Sequence, residues 1–156
     1  MADKLQKLLT LLEVERIDKY LFIGNSPSYP PRVFGGQVLA QSLYAASKTV
    51  DASRNAHSMH AYFLRPGNPK KQIVYEVDPI RDGGSFTTRR VIAKQDGVPI
   101  FSTSVSFQRF EDGLSHQFDM PVVTPPEELE TDFEYWGMMA EKYPDRFTPP
   151  LMQALE

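Results

Sequence analysis

A helical stretch from Phe34 to Val50, followed by two-residue periodicity as far as Arg109, is the feature that most narrows what this chain can fold into. Leu39, Leu43, Ala46 and Val50 recur at helical spacing and Val38 and Ser42 widen that stripe, so the predicted helix needs to be mostly covered. Gly35 and Gly36 open it, permitting unusual backbone angles and close approach just before the first turn. No acidic residue lies between Arg32 and Val50. The first N–H groups of such a helix lack intrahelical acceptors and sit at the positive end of its dipole, a place suited to a polarised carbonyl or an anion.

The remaining elements are arranged around that helix. Leu5, Leu8, Leu9, Leu11, Leu12 and Val14 predict an amphipathic helix over Asp3 to Glu15, with Lys4, Lys7 and Glu13 left for solvent. Tyr20 to Ile23 is a short apolar run, and Gly24-Asn25-Ser26-Pro27 and Tyr29-Pro30-Pro31 then break the chain into a loop. Past Val50, strands are expected over His57 to Leu64, Ile73 to Ile80, Phe86 to Gln95 and Pro99 to Arg109. In the first, His57, Met59, Ala61 and Phe63 face one way and Ser58, His60, Tyr62 and Leu64 the other; in the last, Phe101, Thr103, Val105 and Phe107 oppose Ile100, Ser102, Ser104 and Ser106. Asp96-Gly97 is a two-residue hairpin signal. Strands joined by short turns after one helix argue an α+β class, an antiparallel sheet curled around that helix. From Asp112 the character changes: Met120 to Pro126 is extended, Glu127 to Glu134 acidic, and Tyr135 to Tyr143 predicts a helix with Trp136 and Met139 inward. The tail past Pro149-Pro150 closes no evident unit.

Composition removes several classes of function. The 156 residues suit one domain of ordinary size, and 41% hydrophobic content supplies a single core. A formal charge of −3 and a pI near 5.6 give no electrostatic reason to expect nucleic acid or an anionic membrane surface. Without cysteine there is no disulfide, thiolate zinc site or cysteine nucleophile, which suits an intracellular compartment. The start of the chain lacks the pattern of a signal peptide and no apolar run approaches ~20 residues, so a soluble protein with no membrane partner is expected.

Few residues offer chemistry. Gly35 and Gly36 either aim N–H groups at a thioester or amide carbonyl, as oxyanion holes do, or let the loop pass tightly beneath the sheet. Gln37 either holds a water or carbonyl or caps the helix. His57 and His60, on opposite faces of a regular strand, cannot share a metal, and each is a candidate base or a half-buried hydrogen-bonding residue. Asp78, Asp82 and Asp96 fall at or near turns, where carboxylates bond backbone N–H groups. Arg89 and Arg90 point to opposite faces and, with Arg65, Lys70 and Lys71, read as solvated charge or as phosphate contacts. There is no Gly-x-Ser-x-Gly, phosphate loop or dinucleotide fingerprint.

Four ungapped blocks carry more. Phe34-Gly35-Gly36-Gln37-Val38 with Gln41, His57-Ser58-x-His60-x-Tyr62-Phe63-Leu64-Arg65-Pro66-Gly67, Arg81-Asp82-Gly83-x-Ser85-Phe86, and Pro99-Ile100-Phe101 to Ser106-Phe107-Gln108 closely resemble the type II acyl-CoA thioesterases, the TesB-type enzymes of bacteria and their peroxisomal relatives. His116-Gln117-Phe118-x-Met120-Pro121 and Pro125-Pro126-Glu127-Glu128-Leu129 look most like the peroxisomal branch. The resemblance implies a double hotdog, two sheets each wrapping its own helix, with residues 1–111 as the first hotdog domain and 112–156 as a proline-rich linker and start of the inter-domain region. The second hotdog has no counterpart in these residues. In the family an Asp, a Ser or Thr and a Gln of that second hotdog orient the attacking water, so no catalytic residue transfers to this chain. What does transfer is substrate binding at Gly35, Gly36, Gln37 and His60, with acyl-CoA as the substrate partner, no cofactor and no metal. Pairing with a second hotdog or with a second copy is implied, as is a peroxisomal location, with the cytoplasm as the alternative. The competing expectation is a non-catalytic acyl-CoA-binding or assembly module. A hotdog dehydratase ranks last, because the helix supplies no acid to pair with a histidine.

Overall fold

The structure is a computed structural model that describes residues 2–27 and 31–146. Residues 28–30 of the expected loop, and Pro149-Pro150, lie outside the described residues. The chain divides into two units, Met1–Gly113 and Leu114–Glu156.

In the first unit, helix α1 (Ala2–Leu12) leads into β1 (Glu15–Asp18) and β2 (Leu21–Gly24). The helix expected to reach Glu15 stops at Leu12, because Val14 is drawn into the core and Glu15 already pairs with Ile23. β1 has no forewarning in the sequence: all four of its residues are exposed, so it lacks the alternation that marks a strand. Helix α2 (Gly35–Ser47) follows, then β3 (Arg54–Phe63), β4 (Ile73–Asp82), β5 (Phe86–Gln95) and β6 (Val98–Arg109). The six strands form one sheet in the order β1-β2-β4-β5-β6-β3, every pairing antiparallel. Asp96 and Gly97 both take positive φ, 49° and 77°, the two-residue turn that the Asp-Gly pair requires.

The α2 helix lies across the sheet, principally on β5 and β6. Phe22, Ile73, Tyr75, Val77, Val91, Ala93, Phe101, Val105 and Phe107 meet Val38, Ala45 and Ala46 in one core. The buried face of the helix is Gln37, Val38, Gln41, Ser42, Ala45 and Ala46, whereas Leu39 and Leu43 are only partly covered. The stripe expected from the larger apolar residues is therefore rotated. Small side chains let the helix approach the sheet closely, and the leucines fill the flanks.

One register change alters a side-chain assignment. The β3–β6 ladder slips between Ala56 and Ser58, so His57 is the extra residue of a bulge. Its Nε2 lies 2.8 Å from Ser106 Oγ and its ring 5.6 Å from that of Phe86, on the sheet face away from α2. His60, opposite Ser104, is on that face too. The expectation that the two histidines lie on opposite faces is thus corrected; it assumed an unbroken strand.

In the second unit, α3 (Asp132–Lys142) starts three residues before the helix expected from Tyr135, because Thr131 and Glu134 form a reciprocal capping box. The N–H and hydroxyl of Thr131 hold the Glu134 carboxyl below its ordinary range. None of its described residues is buried. Trp136, expected inward, is 40% exposed and meets Tyr135 edge-on; Met139 is half-buried.

Candidate functional site

The first turn of α2 is anchored from beneath by uncharged groups. Gln37, 5% exposed, donates through Nε2 to the Asn25 carbonyl and to Ser26 Oγ, both at 2.9 Å. Gln41, one turn on and fully buried, donates to the Leu11 carbonyl at 2.6 Å and accepts at Oε1 from the Tyr75 hydroxyl at 2.5 Å and from Gln37 at 3.3 Å. Burial pushes the Tyr75 hydroxyl far above the usual phenol range, so it stays a neutral donor. Gly24 belongs to the same knot, since a Cβ there would meet Gln41 Oε1 at 2.8 Å and the Tyr75 ring at 3.0 Å. Gln37 therefore neither caps the helix nor extends its amide nitrogen into solvent; it ties the helix to the loop after β2. The i,i+4 spacing of Gln37 and Gln41 puts them on one helix face, but nothing in the sequence names the partners they meet there.

Above that anchor the helix end is bare. Phe34 occupies the N-cap position without a side-chain hydrogen bond, and the first turn holds no acid. Neither Gly35 nor Gly36 has positive φ, so their value is closeness and not unusual angles. A Cβ on Gly35 would reach the Phe63 ring at 2.9 Å, and one on Gly36 the Phe34 ring at 2.5 Å.

Two clefts flank this turn. One, of about 320 Å³, lies between α1 and α2 and is lined almost wholly by apolar groups, including Leu8, Leu12, Phe34, Gly36 and Ala40. The other, of about 400 Å³, has Gly35, Val38, Phe63 and Ile100 in its wall with Arg32 and Arg65 at its rim. Arg32 and Val33 border both. Among the described residues neither lining includes a carboxylate or a histidine, so these residues give neither cleft a general base of its own. Arg65 donates to the Pro99 carbonyl at 2.7 Å.

Of the residues expected to bind substrate, the structure brings Gly35, Gly36 and Gln37 together at the helix start. It sets His60 on the far face of the sheet, exposed. The His57–Ser106 pair has the look of a base and a nucleophile, but among the described residues no carboxylate bonds the other ring nitrogen to orient it. No cluster of metal-ligating side chains occurs among the described residues.

The charged candidates resolve into structural pairs. Arg89, expected as solvated charge or a phosphate contact, is instead 3% exposed and faces α2 from β5. It donates to Thr49 Oγ1 and the Thr49 carbonyl at 3.0 Å each, to the carbonyls of Arg81 and Thr88, and to Asp82 at 2.7 Å. Asp78 pairs with Arg90 at 2.7 Å across β4 and β5, and Asp96 pairs with Lys71. These aspartates are structural as expected, but their partners are cationic side chains in place of backbone N–H groups.

Comparison with known proteins extends this picture. A family model for the acyl-CoA thioesterase N-terminal domain matches residues 25–108, more than half of the 156. Human acyl-coenzyme A thioesterase 8 is 46% identical over 122 residues, 77% of this chain and 38% of that protein. Acyl-CoA thioesterase 2 of Haemophilus influenzae is 41% identical over 152 residues, 97% of this chain and 52% of that protein. The peroxisomal acyl-coenzyme A thioester hydrolase 1 of Saccharomyces cerevisiae is 31% identical over 123 residues, 76% of this chain and 35% of that protein. Among solved structures, a TesB protein of Mycobacterium avium subspecies paratuberculosis superposes with a TM-score of 0.72 at 37% identity, covering 79% of this chain and 49% of that one. A hotdog-fold protein of Alicyclobacillus acidocaldarius superposes at 0.68 with 23% identity, over 77% of this chain and 46% of that one, a likeness of fold alone. The chain thus spans about half or less of the length of these relatives. The sheet wrapped on α2 is a hotdog, and the chain belongs to the acyl-CoA thioesterase family, whose N-terminal domain it carries.

Proposed function

We propose that this chain serves as the N-terminal hotdog of an acyl-CoA thioesterase, which converts a fatty acyl-CoA and water to the free acid and CoA. A water oxygen forms the new bond to the acyl carbon, the carbon–sulfur bond breaks, and the CoA thiolate leaves with a proton. The observation that carries the reading is a helix start with an uncapped, acid-free first turn between an apolar cleft and a two-arginine cleft, both empty of general bases. In this arrangement Gly35 and Gly36 approach the thioester and the arginines approach the phosphates of CoA. The water-activating Asp, Ser or Thr and Gln come from a second hotdog, which joins along β3, the ten-residue strand at one margin of the sheet.

Thiol release from acyl-CoAs of several chain lengths tests this, with the 156-residue chain measured beside a polypeptide that also contains a second hotdog. The short chain is expected to be at least about a hundredfold slower, the usual contribution of a positioned base. Equal rates would place the chemistry within these residues and overturn the assignment. A second reading, a binding module without catalysis, draws on the same lack of a base and predicts no turnover in either form. A peroxisomal location, with the cytoplasm as the alternative, is supported by the yeast relative, and imaging of the tagged protein decides between them.

A further inference from the structure

Gln95, the last residue of β5, is 7% exposed and commits its whole amide to one loop. Its Oε1 accepts from the Asn68 N–H at 2.8 Å, and its Nε2 donates to the Asn68 carbonyl at 2.8 Å and to the Lys71 carbonyl at 3.0 Å. The loop so held, residues 64–72 between β3 and β4, is the stretch that carries Arg65. Pro66 and Pro69 remove backbone donors from it, so it depends on bonds from outside. The hold reaches the candidate site by a short path. Asn68 follows Gly67, whose carbonyl accepts from the Val33 N–H at 3.0 Å, and Val33 precedes the N-cap residue of α2. A Cβ on Gly67 would meet Val33 Cγ2 at 2.9 Å, so the two segments touch. Arg65, Pro66 and Gly67 line the two-arginine cleft together with Arg32, Val33 and Gly35, whereas Gln95 lies outside that lining. Arg65 gives Nη1 to the Pro99 carbonyl; among the described residues its other guanidinium nitrogens have no partner.

A buried amide that fixes the backbone at the rim of a cleft, without touching what the cleft holds, controls where the rim's side chains stand. Resting on the acyl-CoA reading above, we propose that Gln95 is a positioning residue: by fixing Asn68 and Lys71 it sets the 64–72 loop, and with it Arg65, at the distance from the start of α2 that the phosphates of CoA require. Without the amide the loop is freed at its middle. Arg65 then keeps its charge but loses its place.

Two thioethers that cannot be hydrolysed separate this role from a merely structural one: S-hexyl-CoA, and S-hexyl-pantetheine, which has the same thioether end but no phosphate. In calorimetry, Gln95→Met, which keeps the bulk and loses the hydrogen bonds, should weaken S-hexyl-CoA binding at least about tenfold while changing S-hexyl-pantetheine binding less than about twofold. Arg65→Ala should do the same. The double variant should bind S-hexyl-CoA no more than about twofold worse than Arg65→Ala alone, because both changes remove one interaction. Should Gln95→Met fail to fold, Gln95→Asn, with its amide one methylene short, is held to the same comparison. Unchanged S-hexyl-CoA binding, equal losses for both probes, or losses that multiply in the double variant overturn the positioning role and leave the acyl-CoA reading standing. If Arg65→Ala leaves S-hexyl-CoA binding unchanged, the phosphate contact falls and the proposal with it. If the unaltered chain binds neither probe, the acyl-CoA reading falls as well.

Discussion

The two ends of α2 are held by opposite chemistry. At the N-terminal end Gln37, Gln41 and Tyr75 bind the carbonyls of Asn25 and Leu11 and one another without a formal charge. At the C-terminal end a buried guanidinium, Arg89, takes the Thr49 carbonyl just beyond the helix and reaches Asp82. A cation near the last turn favours the negative end of the helix dipole, whereas the positive end is left without a countercharge. The buried charge thus lies at the C-terminal end, whereas the buried groups that anchor the N-terminal end are uncharged.

Substitutions at both ends sharpen this contrast. Arg89→Ala should have the largest effect, a loss of about 3 kcal/mol in urea unfolding, because several buried carbonyls lose their donor together. A loss below about 1 kcal/mol would mean that the C-terminal end is not held by this residue. Next is Gln41→Leu, which strands the Tyr75 hydroxyl and the Leu11 carbonyl and should cost about 2 kcal/mol by the same measurement. A neutral outcome would show the amide knot to be dispensable.

Tyr75→Phe should cost about 1 kcal/mol at neutral pH, and its sign changes with alkali. The folded hydroxyl is held protonated by burial, while the unfolded phenol ionises at about 10, so the folded state binds more protons above that pH. The parent's stability is intact below the unfolded value and falls above it, by about 1.4 kcal/mol at pH 11. The Phe variant lacks this loss, so unfolding curves for the two proteins should converge or cross between pH 10 and 11. Parallel curves would show that Tyr75 titrates normally. Asp82→Asn is the smallest, at about 0.5 kcal/mol or less, because Asp82 is 63% exposed and solvent screens the pair. If it matched Arg89→Ala, the ion pair and not the carbonyl bonds would be the true anchor.

Legibility differed from residue to residue. The span of β5 was read correctly to its ends, because Asp96-Gly97 admits one kind of turn and the alternation before it is clean. β1 was missed because Glu15-Arg16-Ile17-Asp18 buries nothing; only the open edge of β2 makes it a strand. At the candidate site the acid-free helix start and its glycines were visible in the chain. The role of Gln41 was not, since its partners lie 30 residues before it at Leu11 and 34 after it at Tyr75.

What the sequence determined alone was local or cumulative: hairpin chemistry, strand periodicity, a helix with no acid, and enough ordered motifs to place the family. Each depends on neighbours along the chain. Only the tertiary structure decided which face of α2 is buried, that a bulge turns His57 toward Ser106, and that Arg89 lies inside. Those outcomes depend on strand register and on how closely helix and sheet approach, which are set by contacts between residues far apart in the chain.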